Sequence, residues 1–155
     1  SVVVLARSDV GNAWQNIQRL PGGRTLPGLV VVRWESALFF GNAQGFADQL
    51  KAILEATDEP VNWVVLDAEA TAYADFTGTS TLLDLISYLH DREIVFVVAE
   101  PNGRLREVLQ VSGVESGMGA GHVYPSVDEA AKAYLTAHPQ VAPAQPETPK
   151  TGPES

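Results

Sequence analysis

The sequence predicts an α/β fold: a mixed β-sheet of about five strands carrying four main α-helices. Three observations lead there. From residue 43 onward, short β-branched runs alternate with amphipathic segments of helical period, the pattern of strands joined by right-handed helical crossovers. The two most apolar runs, Asn62–Leu66 and Ile94–Ala99, lack polar alternation, as strands covered on both faces do. Finally, 155 residues with 45% hydrophobic and 19% charged side chains suit one domain with a real core.

Taken in order, Val2 to Leu5 is a short β-branched run and a first strand. Residues 8 to 28 form a long connection, with a helical turn expected around Trp14-Gln15-Asn16-Ile17. Leu20-Pro21-Gly22-Gly23 and Leu26-Pro27-Gly28 are turn signals within it. Leu29–Trp34 and Ala37–Phe40 read as two strands. A gap of Glu35 and Ser36 alone permits an antiparallel hairpin and forbids a parallel crossover. An amphipathic helix follows, with Asn42 as its cap and Phe46, Leu50, Ile53, Leu54 and Thr57 on one face. After the Asn62–Leu66 strand, a second helix is expected from about Gly78 to Arg92, with Leu82, Leu85, Ile86 and Leu89 inward. Beyond Ile94–Ala99, a third helix covers 104–112 and turns Leu105, Val108 and Leu109 to the core. Val123-Tyr124 is a short strand. The last helix starts at the Ser126 cap, with Asp128 and Glu129 in a first turn where the helix dipole favours acids, and is expected to bury Val127, Ala130, Ala131, Tyr134 and Leu135.

Charge narrows the function classes. The formal net charge is −9, from 10 basic and 19 acidic residues, which argues against unaided binding of nucleic acid. Its distribution is uneven. Residues 1–34 hold Arg7, Arg19, Arg24 and Arg33 against Asp9, whereas the segment 35–100 is strongly acidic. A basic entry leading into an acidic body suits a domain hung beneath a membrane, and equally an ordinary solvated surface. Cysteine is absent, so disulfides, thiolate zinc sites, iron–sulfur clusters and cysteine nucleophiles are all excluded. No apolar run approaches the roughly 20 residues that span a bilayer. A start at Ser1 without an initiator methionine leads us to expect a piece of a longer polypeptide or a processed product. Five of the ten prolines fall in the last 17 residues, so 1–137 is expected to be the folded domain and His138 to Ser155 a disordered tail.

In open α/β sheets, functional groups gather where strands end and loops lead into helix N-termini. The richest such loop runs from Asp67 to Thr81, with Asp75-Phe76-Thr77-Gly78 at the start of the second helix. A Thr77 hydroxyl there faces free backbone N–H groups and the positive end of the dipole, which favour a phosphate. Asp75, Thr77 and Gly78 are therefore the candidate phosphorylation and switch loop, and Thr79, Ser80 and Thr81 the candidate interaction surface. Asp and Thr also cap helices with no further purpose.

Asp75-Phe76-Thr77-Gly78 after an apolar strand resembles the Asp-x-Ser/Thr-Gly signature of STAS domains, shared by sulfate transporters and anti-sigma-factor antagonists. The carboxy-terminal domain of SulP-type anion transporters is the nearer match. Val3-Val4-Leu5-Ala6-Arg7, Trp14-Gln15-Asn16-Ile17 and Thr25-Leu26-Pro27-Gly28-Leu29-Val30 carry it. So do Ala37-Leu38-Phe39-Phe40-Gly41-Asn42-Ala43 and the stretch from Gly117 through Pro125-Ser126-Val127-Asp128-Glu129-Ala130. The likeness covers about residues 1 to 136.

It implies a non-enzymatic regulatory and interaction domain on the cytoplasmic face of the cell membrane. Its first partner would be the transmembrane domain of its own transporter chain, with homodimerisation through the full-length transporter alone. A regulatory protein is a further implied partner. Nucleotide is a weaker one, because the loop has no Gly-x-x-x-x-Gly-Lys and no nearby lysine. The alternative is a stand-alone anti-sigma-factor antagonist, switched by phosphorylation at the position Thr77 matches. Such proteins usually lack the long Trp14–Pro27 connection.

Other constellations carry less. Gly117-Met118-Gly119-Ala120-Gly121 follows no strand and reads as a flexible connection, not a dinucleotide site. His90, His122 and His138 show no ligand spacing, so neither a metal nor another cofactor is expected. Asp67 and Glu69 could pair as carboxylates, but no nucleophile or base partner follows from the sequence, and no catalytic residue is assigned. Trp14, Trp34 and Trp63 read as core or docking residues, an exposed aromatic being the mark of an interface.

Overall fold

A six-stranded sheet forms the centre of the computed structural model, which describes residues 1–8, 13–20, 23–119 and 121–141. The strands are β1 (Val2–Arg7), β2 (Trp14–Asn16), β3 (Leu29–Trp34), β4 (Trp63–Asp67), β5 (Val95–Ala99) and β6 (Val123–Tyr124), in spatial order β2-β1-β3-β4-β5-β6. β1 runs antiparallel to both β2 and β3, and β3 to β6 are parallel. The helices are α1 (Ala43–Glu55), α2 (Phe76–His90), α3 (Gly103–Val111), α4 (Val114–Met118) and α5 (Val127–Ala137).

Strand alternation divides the core into two layers. Val32, Val64, Leu66, Phe96 and Val98 point to α1–α4, where they meet Phe46, Leu50, Leu82, Leu85, Leu105 and Val114. Leu29, Val31, Val65 and Val97 point the other way, against Val127, Ala130, Ala131 and Tyr134 of α5. Each fully buried side chain of the size of Phe46 or Leu82 contributes roughly 1.5–3 kcal/mol. The expected inward faces of α1, α2 and α5 are the ones observed, except that Thr57 is exposed past the end of α1, its hydroxyl donating to the Ile53 carbonyl at 2.8 Å. Ser126 caps α5, its hydroxyl accepting from the Glu129 N–H at 3.1 Å.

Three local expectations are corrected. Trp14-Gln15-Asn16 is a strand, not a helical turn: it pairs with β1 (Leu5 opposite Asn16, Arg7 opposite Trp14), and the helical turn comes next, at Ile17–Arg19. Ala37–Phe40 is not the second strand of a hairpin. β1 and β4 already occupy both edges of β3, so Leu38 instead makes one parallel bridge to Ala74. The stretch before β6 holds the short helix α4, because Val114 and Met118 are buried in the first layer. Asn42 occupies the N-cap position of α1, but its side chain turns back to bind the Phe39 N–H at 2.9 Å and the Ala37 carbonyl at 2.8 Å.

All three tryptophans are buried. Regular structure also continues past the boundary expected at His138. The His138 ring stacks on Tyr134 at 4.4 Å between centroids, and Pro139–Val141 form a further helical turn. The rest of the expected tail, and Pro21-Gly22 of the expected turn, lie outside the described residues.

Candidate functional site

The site lies at the carboxyl ends of β3, β4 and β5. β4 ends on Asp67, which is 2% exposed; its Oδ2 accepts from Arg33 Nε at 3.1 Å across the strand pair, and its Oδ1 accepts from the Glu69 N–H at 3.1 Å. The following loop is tied down at several points. The buried Thr71 hydroxyl donates to the Trp34 carbonyl at 2.8 Å, and Asn102 Nδ2 donates to the Ala72 carbonyl at 3.1 Å. Leu38 brackets the loop on the other side: its N–H donates to the Tyr73 carbonyl at 2.8 Å and its carbonyl accepts from the Asp75 N–H at 3.0 Å.

α2 begins two residues earlier than expected, so Asp75 is the N-cap and Thr77 is the second helical residue. Asp75 Oδ1 accepts from the Gly78 N–H at 2.7 Å, while Oδ2 accepts from the Phe40 N–H at 3.2 Å. Gly78 is required by space: a Cβ there would collide with the Leu38 carbonyl. Thr77 is exposed beside the N-terminus of α2, where backbone N–H groups and the dipole favour an anion. Its neighbours in the expected interaction surface separate. Ser80 is exposed and Thr81 half-buried, but Thr79 is buried, with its hydroxyl donating to the Phe76 carbonyl at 3.1 Å. Helical period puts Thr79 on the side of Leu82 and Ile86, where, although buried, it still lines the groove beside Phe76.

What the sequence reading missed is a patch of aromatic surface. Phe40 is 80% exposed, Phe76 87% and Val111 83%, with Phe39 beside them, its ring 5.8 Å from that of Phe40. The exposed aromatics are thus phenylalanines and not tryptophans. A signal was available: Phe76 is off the Leu82-Leu85-Ile86-Leu89 stripe of its own helix. A groove of about 600 Å³ opens beside Phe76, lined also by Ala74, Thr79, Glu107, Val108 and Val111.

The fold also brings Glu100 to Asp67 and Glu69, with carboxylate oxygens of the three within 4.8 Å of one another. Burial, then the charges of Glu69 and Asp67, raise the Glu100 carboxyl above its ordinary value. Glu100 stands at φ +58°, in the left-handed region that disfavours side chains. Asp67 is committed to Arg33, so the trio is an electrostatic feature of the strand ends without a demonstrated ligand.

Comparison with known proteins places this geometry. The STAS domain family profile matches residues 23–130. A probable sulfate transporter of Mycobacterium tuberculosis is 31% identical over 119 residues, which is 77% of this chain and 21% of the transporter. Sulfate transporter 1.2 of Arabidopsis thaliana is 24% identical over 84% of this chain and 21% of its own length. The chain therefore spans about a fifth of the curated relatives it matches. Among solved structures, the STAS domain of a Vibrio cholerae SulP transporter is 28% identical with a TM-score of 0.64, over 77% of this chain and 91% of that one. Murine solute carrier 26 family member A9, an anion transporter, has a TM-score of 0.78 at 19% identity, over 88% of this chain and 22% of that one. The unphosphorylated anti-sigma factor antagonist SpoIIAA has the same fold, with a TM-score of 0.57 at 17% identity, over 73% of this chain and 93% of that one. With a family match across most of its sheet and helices, and homology to the STAS domains of SulP transporters, the chain belongs to the STAS domain family.

Proposed function

We propose that this chain is the non-catalytic regulatory and interaction domain of a SulP-type anion transporter, held at the cytoplasmic face of the membrane by the transmembrane domain of the same polypeptide. The observation that carries the reading is the extent of the match: most of this chain aligns with about a fifth of sulfate transporters. Among the described residues no helix is long and apolar enough to cross a membrane.

Within that reading, the Asp75–Thr77 loop and the N-terminal half of α2 are the contact or modification surface. Its rigid bracing suits this role, because a partner meets a preformed shape and orders little on binding. Binding there shifts the transporter between states by the difference in affinity for them. The reading is tested by anion uptake in cells carrying the full-length transporter with Thr77→Ala or Thr77→Glu. At least one variant is expected to change uptake at equal surface expression, and wild-type uptake in both would remove the switch. Membrane fractionation tests the tether. A large species resistant to alkaline salt washing is expected, whereas a soluble species near 16.6 kDa would favour the second reading, a free anti-sigma-factor antagonist. The exposed Thr77 beside a helix N-terminus is the feature that keeps that alternative in play.

A further inference from the structure

We infer that the apolar groove between α2 and α3, walled by Phe76 and Val111 and extended by Phe40, docks a Lys/Arg-rich amphipathic helix of a protein partner. Five large hydrophobic side chains are notably exposed among the described residues, and four of them, Phe39, Phe40, Phe76 and Val111, belong to this one region. Clustering of that kind marks an interaction surface, whereas scattered single residues need no explanation. The backbone beneath is held firmly, with Asp75 joining the Phe40 turn to the start of α2.

Charge decides between occupants. Glu107 is exposed on the groove, and Asp75 lines it with acceptor capacity left over after its two backbone bonds. The same end of the sheet carries the exposed Glu69 and Glu100, Asp67 beside them being buried and paired with Arg33. Arg104, over the ring of Tyr73 in the groove lining at 4.4 Å, is a cation within this acidic surround, and the whole chain has a formal charge of −9. An anionic bilayer would be repelled by such a rim. A second copy would set like-charged rims against each other. A helix with an apolar stripe and basic flanks satisfies both the phenylalanines and the carboxylates. The groove lies between two helices and offers no open sheet edge, so a helix fits it better than an added strand. The transporter reading above supplies only the source: cytoplasmic segments of membrane domains carry an excess of Lys and Arg.

The test uses the soluble chain and two fluorescein-labelled helical peptides of ~18 residues, long enough for a marginal helix. Both have the same leucine stripe at i, i+3, i+4 and i+7; one carries Lys on its polar face and the other Glu. Fluorescence anisotropy is expected to show binding of the Lys peptide, weakened about tenfold or more by Phe76→Ser and by Val111→Ser. Ile17→Ser, at an exposed apolar residue elsewhere, is expected to leave binding unchanged. The altered side chains face solvent, and thermal midpoints verify that the variants fold. Equal binding of the Glu peptide, or wild-type affinity in both groove variants, overturns the proposal. So does Phe76-dependent co-sedimentation with phosphatidylcholine–phosphatidylserine vesicles in place of peptide binding, or a Phe76-dependent dimer in analytical ultracentrifugation. The assay needs no transporter, so its failure leaves the Thr77 uptake result standing, and the reverse also holds.

Discussion

Asp75 and Phe40 are joined across two loops by a single carboxylate that does two jobs: one oxygen caps α2 through the Gly78 N–H, and the other holds the Phe40 N–H at 3.2 Å. The start of a helix and the preceding aromatic turn are thereby set in one frame. Asp75→Ala is expected to cost about 1–2 kcal/mol, the range for a lost N-cap, with the larger value if the Phe40 bond is lost with it. Denaturant unfolding measures the cost. Asp75→Asn should recover part of it, because the amide oxygen still accepts from Gly78.

Gly78 and Gly45 provide a paired test, since each is the third residue of its helix. A Cβ at Gly45 would meet nothing nearer than the Gln49 amide at 3.9 Å, whereas one at Gly78 would run into the Leu38 backbone carbonyl. Ala is favoured over Gly in a helix by about 1 kcal/mol. Gly45→Ala is therefore expected to stabilise by about 0.5–1 kcal/mol. Gly78→Ala is expected to destabilise by about 2 kcal/mol net, because backbone on α2 and the Leu38 segment must part. Stabilisation at both positions would mean that the contact with Leu38 does not constrain the chain.

Arg33 is the partner of a carboxylate that water scarcely reaches. Arg33→Ala leaves Asp67 buried with only the Glu69 N–H to meet it. The expected loss is about 3 kcal/mol, at the low end for a broken buried pair because the Arg33 side chain is itself a quarter exposed. Thermal or urea unfolding measures it. Changing both residues to apolar ones, Arg33→Met with Asp67→Leu, should cost less than Arg33→Ala alone.

Glu100 gives the pH dependence. Its carboxyl sits above the ordinary value near 4.3, so the folded state binds its proton more tightly than the unfolded state does. Stability from this group is complete below that ordinary value and is lost as pH rises through the higher folded one. Glu100→Gln is therefore expected to stabilise the domain at neutral pH by at most about 0.5 kcal/mol, given the group's contact with solvent. The advantage should vanish below about pH 4. Urea unfolding of both proteins across pH 3–8 measures the difference, and an unchanged difference across that range would mean that folding does not raise the Glu100 carboxyl.

Local order was legible in the sequence wherever one element's own pattern was enough. The inward faces of α1, α2 and α5, the Ser126 cap and the unalternating strands β4 and β5 all follow from spacing, because a helix or a twice-covered strand needs only its own side chains to declare its period. The STAS signature at Asp75 to Gly78 could be read for the same reason, being four consecutive residues at one helix start.

Tertiary structure decided whatever depended on a distant partner. Trp14–Asn16 is a strand because β1 offers it an open edge, and Ala37–Phe40 is not one because β1 and β4 have taken both edges of β3. No local pattern states which edges are free. Burial of Thr79, exposure of Phe40 and Phe76, and the meeting of Glu100 with Asp67 and Glu69 likewise arise only after the helices settle on the sheet. The sequence by itself determined the class of fold and the loop that begins α2. Packing between segments far apart in the chain decided which side chains of that loop meet solvent, since exposure belongs to the assembled surface and not to any one element.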